Sequence, residues 1–256
     1  MSAYVSGLAT TAVKSTRLAT VDHVELDALG ARGNRAFCVI DARDRMVNAK
    51  NFPKLQTVRS SYDLESDELA LTFPDGGEAR APVRHGEQLT ISFFSQPSAA
   101  RLVLGPWSAA LSHYIGAPLR IVEPEVGVDR GRDGGVSLIS RASVDHLAEV
   151  ADRGSVDVRR FRMLIEVEGL EPYEEDTWVG REVTIGPARV AFRGNIGRCA
   201  VTTRDPDTAV ADLPTLKLLA SYRRVVMSTE PIPFGIYGAV LDPGPVRLGD
   251  PVAVKA

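Results

Sequence analysis

The sequence predicts a mainly β protein carrying a few helices, and three observations lead there. Runs with apolar residues on alternate positions recur along the 256-residue chain. Gly, Asp, Asn and Pro cut them into short pieces, and segments with helical spacing are few. In the first half the strand-like runs are HVELDAL, RAFCVID, LQTVRSSYDL, ELALTF and QLTIS, with Pro74-Asp75-Gly76-Gly77 as a turn inside an antiparallel meander. This half is expected to form an antiparallel, barrel-like unit.

From Trp107 the texture changes. WSAALSHYIG reads as a short helix and LRIVEP as a strand. SRASVDHLAEVADR reads as a second helix, because Val144, Leu147, Ala148 and Ala151 fall at helical spacing behind Ser140 as N-cap. The acidic run Glu171 to Asp176 reads as a solvated loop. WVGREVTIG and ARVAFRG read as hairpin strands, with Trp178 anchoring a strand in the core and Gly180 and Gly186 serving turns. Asn195-Ile196-Gly197 and Asp205-Pro206-Asp207 read as turns on either side of a strand that carries Cys199. LPTLKLLASYR reads as a third helix, and IYGAVL and PVAVKA as closing strands. The segment SFFSQPSAARLVLG is the expected border between two domains, 1–100 and 101–256.

Hydrophobic content of 44% and charged content of 25% suit a globular protein. A net charge of −3 offers no global reason to bind nucleic acid or an anionic membrane surface. No run approaches the ~20 apolar residues of a membrane span, and the first residues have no signal-peptide pattern. The two cysteines make no disulfide framework and no C-x-x-C zinc pair, which points to a reducing cytoplasm.

Cys38 lies in the alternating strand AFCVID and reads as a small buried hydrophobe. Cys199 differs, because Arg198 adjoins it, Arg193 is near, and positive charge favours the thiolate. A thiolate is a nucleophile or a soft-metal ligand, and local context leaves both open. The four histidines, His23, His85, His113 and His146, are scattered and carry no nucleophile motif. Ligation by Cys199 alone needs an exogenous ligand set, such as a cofactor that brings its own sulfurs.

Several segments together carry a resemblance. RRFRMLIEVEGLEPYEEDTWVGREVTIG, GRCAVTTRDPDT and FGIYGAVLDPGPVRLGDPV resemble the MOSC domain, named after the molybdenum cofactor sulfurase C-terminus. TAVKS, GNRAFCVID and VNAKNFPKL resemble the β-barrel that precedes it in many members. The resemblance implies an N-terminal β-barrel-like domain followed by a MOSC β-barrel. It also implies the molybdenum cofactor (molybdopterin), with Cys199 as the metal ligand beside the cofactor's dithiolene. By the same resemblance Lys14, Ser15, Arg35 and Arg162 hold the pterin and phosphate portion, and Arg198, beside the metal ligand, and Gly197 before it also bind the cofactor. Guanidinium groups suit phosphate through paired hydrogen bonds, and lysine serves as a point charge.

The implied activity is reduction of small N-oxygenated molecules such as hydroxylamines or amidoximes. No haem, flavin or iron–sulfur motif is visible, so an external electron-donor protein is implied. The family also carries an association with pyridoxal phosphate binding. Three positions depart from the family pattern: Leu164 replaces a polar residue, Asp133-Gly134 replaces a Thr-Ser pair, and Gly197 replaces a hydroxyl residue. These departures favour an alternative, a non-catalytic cofactor or sulfur carrier, and a metal-free thiol enzyme using Cys199 as nucleophile is a further alternative.

Overall fold

Strand Tyr4–Thr10 does not pair with most of the strands that follow it in sequence. It pairs antiparallel with Ile165–Glu168, far along the chain, and that distant contact organises the molecule. We describe the fold from a computed structural model over residues 2–93, 96–126, 131–223, 228 and 230–255. The largest sheet has eight strands in the order Val252–Val254, Glu182–Ile185, Ala188–Gly197, Pro233–Asp242, Val136–Ser140, Ile165–Glu168, Tyr4–Thr10 and Ala19–Thr20. It curls into a half-barrel. Its pairings are antiparallel apart from Val136–Ser140 with Ile165–Glu168, which run parallel. A parallel pair needs a crossover, which a tight hairpin loop cannot supply. Helix Arg141–Val150 does so.

A second sheet has five strands in the order Arg84–Phe93, Gln96–Leu104, Leu119–Pro124, Cys38–Asp41 and Met46–Val47. The meander expected around Pro74–Gly77 is present as Arg59–Asp63, Glu68–Thr72 and Glu78–Pro82. Helix Trp107–Ile115 closes one side, with Trp107 fully buried and its indole N–H donating to the Leu69 carbonyl at 2.9 Å. Among the described residues no helix is long and apolar enough to cross a membrane.

A border at residue 100 falls inside strand Gln96–Leu104. Strands Arg84–Phe93 and Gln96–Leu104 pair antiparallel, with Phe93 opposite Gln96. The five-stranded sheet then runs on to Pro124. Val103, Trp107, Leu111, Leu119 and Ile121 share one core with Phe37, Leu55 and Leu71. The half-barrel has its own core, which includes Leu138, Ile165, Val183 and Phe192.

The acidic run is not a solvated loop. Glu174–Trp178 form a 3-10 turn, and Glu175 is 1% exposed. Its carboxylate accepts from the Ser143 hydroxyl at 2.8 and 2.9 Å and from the Ser140 amide at 3.2 Å, at the start of helix Arg141–Val150. Ser140 does stand at the N-cap position, but its hydroxyl makes no cap bond. A carboxyl group delivered from another element caps this helix start instead. Trp178 is buried against Phe192, as expected, although it ends the 3-10 turn and lies outside the strand that follows. Gly180 and Gly186 take the positive φ that their turns need.

Burial pushes the Glu175 carboxyl up to about 7, against the Ser143 and Ser140 bonds that pull it down. The folded chain therefore holds a proton that the unfolded chain releases between its ordinary value of 4.5 and about 7. The associated stability is present at low pH and is lost as pH rises through about 7, with an upper bound of ~3 kcal/mol. Glu175→Gln should flatten this loss, seen as a smaller fall in melting temperature than wild type between roughly pH 5 and 8. Parallel melting curves for the two proteins would show that the carboxyl does not titrate in this window.

Candidate functional site

The five-stranded sheet and the half-barrel enclose a cleft of about 960 Å³. One wall comes from the chain just after strand Tyr4–Thr10, which presents Lys14 and Ser15, and from Arg35. The opposite wall comes from Arg160 to Met163 and from the segment Ile196 to Cys199. Nine non-glycine residues among those described have positive φ, and Ser15 (76°), Arg35 (53°) and Arg162 (54°) line this one cleft. Each left-handed residue costs of order 1–3 kcal/mol, so such strain persists where surrounding contacts impose it.

Those contacts are visible. The Arg35 amide donates to the Thr11 carbonyl at 2.6 Å, and its Nη2 donates to the Arg162 carbonyl at 2.6 Å. Arg162 ends the 3-10 turn Val158–Phe161, and its own Nη2 donates to the Thr16 carbonyl at 2.6 Å. The Lys14 amide donates to the Phe37 carbonyl at 2.8 Å, and its ammonium stands 6.0 Å over the Phe93 ring. Lys14, Arg35 and Arg162 thus converge on one cleft although 148 positions of chain separate the first from the last.

Cys199 is exposed at this cleft, whereas Cys38 is fully buried among Ile40, Ile91, Ala100 and Val122. The local backbone differs from expectation on both sides of Cys199. Asn195-Ile196-Gly197 belong to strand Ala188–Gly197, whose register shifts at Phe192/Gly194 and Asn195/Gly197 mark bulges. Bulges re-aim a strand end, and here they turn it into the cleft. After Cys199 the chain forms the 3-10 turn Ala200–Thr203 and no strand. Cys199 takes the N-cap position in extended conformation, and its carbonyl accepts from the Thr202 amide at 3.1 Å and hydroxyl at 2.9 Å.

Arg198 points beneath the cleft wall. Its Nε donates to the Phe234 carbonyl at 2.7 Å, its Nη1 to the Phe161 carbonyl at 2.8 Å, and it lies 5.5 Å over the Phe161 ring. Burial pushes its guanidinium down to about 9, with Cys199 acting to raise it and Arg35 to lower it further. It therefore stays charged at neutral pH. Arg193 is exposed on the strand and does not line the cleft. The positive charge near Cys199 comes from Arg198 and the far wall.

The departures from the family pattern have physical causes. Leu164 is buried in the half-barrel core and packs there. Asp133 is exposed and lies off the cleft, while the backbone of Gly134 lines it. A Cβ at Gly197 would stand 2.8 Å from a Glu230 carboxylate oxygen and 3.0 Å from the Pro231 carbonyl, so the close approach of that segment favours glycine.

Sequence reasoning passed over Lys50, Arg160 and Glu230, which also line the cleft. The described lining residues carry six cationic side chains, Lys14, Arg35, Lys50, Arg160, Arg162 and Arg198, against the single carboxylate of Glu230. Arg160 is balanced by Asp212 in a two-pronged pair at 2.7 Å. Six cations among the described lining residues give the cleft a cationic character suited to an anionic ligand. Among the described residues no histidine lines the cleft. His85 pairs with Glu123, and His146 with the Tyr173 hydroxyl at 2.6 Å. Among the described lining residues, no base of the kind a thiol nucleophile uses stands beside Cys199.

Two family descriptions match the chain, the MOSC N-terminal beta barrel domain over residues 2–107 and the MOSC domain over residues 125–253. The chain belongs to the MOSC family. It is similar to the mitochondrial amidoxime-reducing component 1 of Mus musculus, at 29% identity over 94% of this chain and 78% of the relative. It is also similar to the mitochondrial amidoxime reducing component 2 of Bos taurus, at 30% identity over 94% of this chain and 80% of the relative. The crystal structure of the YuaD protein from Bacillus subtilis shares the fold, with a TM-score of 0.51 and 14% identity over 98% of this chain and 94% of that one.

The two cysteines should separate in a stability measurement. Cys38→Ser puts a hydroxyl into an apolar cluster and should cost about 1–3 kcal/mol. Cys199→Ser changes an exposed side chain and should cost under about 1 kcal/mol. Chemical denaturation of the two variants checks the order, and equal losses would contradict the placement of Cys199 at an open surface.

Proposed function

We propose that this MOSC protein is a molybdenum-cofactor-dependent oxidoreductase that reduces small N-oxygenated molecules. Electrons would come from a separate donor protein. The observation that carries this reading is the exposed Cys199 thiol standing in a cleft whose other walls are cationic.

The residues fit the cofactor on their own chemistry. Among the described residues, no group of three or more His, Cys, Asp or Glu side chains converges to hold a bare metal ion. Cys199 is a single soft donor, which suits a metal that arrives with sulfur ligands of its own. Lys14, Arg35 and Arg162 supply the positive charge that a phosphate-bearing pterin needs, and the buried Ser15 beside them adds a hydroxyl. When bound, the molybdenum centre supplies the two-electron oxygen-transfer chemistry that no side chain here provides. In the net reaction the substrate N–O bond breaks, two electrons and two protons are taken up, and water leaves.

The protein's part is positional. Arg198, tied to the Phe161 and Phe234 carbonyls, fixes the backbone from which Cys199 projects. The Thr202 bonds to the Cys199 carbonyl fix the other side. Phe93, Pro97, Met163 and Val201 give the cleft apolar surface that a small organic substrate can cover. The alternative carrier reading draws on Leu164, whose side chain is committed to the core. The two-cysteine composition supports a reducing, cytoplasmic setting.

The test is expression in a host that makes the cofactor, followed by molybdenum analysis and turnover of an aryl amidoxime with dithionite-reduced viologen. Wild type should carry molybdenum and form amidine. Cys199→Ser should keep its fold and lose activity by about 100-fold or more. Wild type with molybdenum and no turnover would favour the carrier. Full activity in Cys199→Ser would remove the ligand assignment.

A further inference from the structure

The loop after Cys199 is tied to two other segments by the carboxylate of Asp207. Asp205 shapes the turn that presents it: its Oδ1 accepts from the Asp207 amide at 3.0 Å, the Thr208 amide at 2.8 Å and the Thr208 hydroxyl at 3.0 Å. Pro206 presets the backbone between them. Asp207 then receives Arg159 Nη1 and Nη2 at 2.9 Å each, and Arg17 pairs with the same carboxylate. Asp157 grips the adjacent Nε–Nη2 edge of the Arg159 guanidinium, with 2.6 Å to Nη2.

These partners come from distant parts of the chain. Arg159 lies in the 3-10 turn that ends in Arg162. Arg17 lies two residues after Ser15, and its amide is fixed to the Val58 carbonyl at 2.7 Å. Asp207 therefore joins three of the segments that line the cleft: 13–17, 157–162 and 199–213. The Arg162 bond to the Thr16 carbonyl closes the ring. Asp212 grips Arg160 in a similar way but joins only two of the segments.

The link from Asp207 back to Cys199 is stiff. The Thr203 carbonyl accepts from the Asp212 amide at 3.1 Å and the Leu213 amide at 3.3 Å. The Thr215 hydroxyl donates to the Thr202 carbonyl at 2.8 Å, and Arg204 Nη1 donates to the Ala209 carbonyl at 3.0 Å. These bonds, with those of Thr202 to the Cys199 carbonyl, connect the Asp207 turn to the Cys199 backbone.

We propose that Asp207 is a positioning residue that sets the Cys199 thiol in register with the cationic wall of Lys14 and Arg162. This rests on the reading of Cys199 and Arg162 as contacts to one bound cofactor. Asp207 itself does not line the cleft. Its ion pairs are partly exposed, with side chains at 24% (Arg17), 29% (Arg159) and 40% (Asp207), so solvent screens them and they add little to global stability. A structural role and a positioning role therefore make different forecasts.

The experiment uses protein purified without cofactor, and compares wild type with Asp207→Asn, Asp207→Glu and Arg17→Gln. Arg189→Gln is the control, since Arg189 joins Glu182 and Asp242 in similar exposed pairs away from the cleft. The readouts are melting temperature, the rate of Cys199 alkylation by iodoacetamide and the affinity for inorganic pyrophosphate. Asp207→Asn should melt within a few degrees of wild type, as should Arg189→Gln. Its alkylation rate should change by about threefold or more, and pyrophosphate should bind about tenfold more weakly. Asp207→Glu should recover part of both losses. Arg17→Gln should move both readouts in the same direction, and it decides the matter if Asp207→Asn does not fold. Wild-type alkylation and pyrophosphate binding in these variants would overturn the proposal. Molybdenum content of wild type is scored separately, and its absence would sink the cofactor reading while leaving the role of Asp207 to the other two readouts.

Discussion

Two guanidinium-to-carbonyl bonds that run in opposite directions hold the cleft in shape. Arg35 reaches from the side of the five-stranded sheet to the Arg162 carbonyl, and Arg162 reaches back to the Thr16 carbonyl. A charged donor on a carbonyl makes a stronger bond than a neutral pair. Both arginines adopt a left-handed backbone, and so does Ser15 nearby. These bonds offset the strain and leave the remaining face of each residue toward the cavity. The arrangement depends in turn on strand Tyr4–Thr10 joining the half-barrel, because that pairing carries Lys14, Ser15 and Thr16 to the cleft.

Charge is distributed unevenly. The chain as a whole has a net charge of −3, yet the described cleft lining holds six cations and one carboxylate. Carboxylates elsewhere sit in outer ion pairs, such as Glu182 and Asp242 with Arg189, or are buried like Glu175. A global net charge therefore says little about what this cleft attracts, whereas its lining does.

Much of this was legible in the sequence, and the misses have identifiable causes. Alternation and turn residues located most strands, and the buried Cys38 against the exposed Cys199 followed from strand pattern and neighbouring charge. The position of Trp178 in the core was legible, but the 3-10 turn that carries it was not, because one turn leaves no periodicity. Glu175 was missed because an acidic run looks solvated until tertiary packing points one carboxylate at a helix start. Arg160 and Lys50 carried no local signal that separates a cleft cation from a surface one. Ser15, Arg35 and Arg162 came only through resemblance, since positive φ at a non-glycine residue cannot be read from composition.

The central claim is that Cys199 supplies the protein's sulfur to a molybdenum centre held in this cleft. X-ray absorption at the molybdenum edge, on protein from a cofactor-competent host, tests it most directly. The account predicts one fewer sulfur neighbour around molybdenum in Cys199→Ser than in wild type, with the spectrum of Cys38→Ser unchanged. An identical sulfur shell in wild type and Cys199→Ser, both loaded with molybdenum, would contradict it.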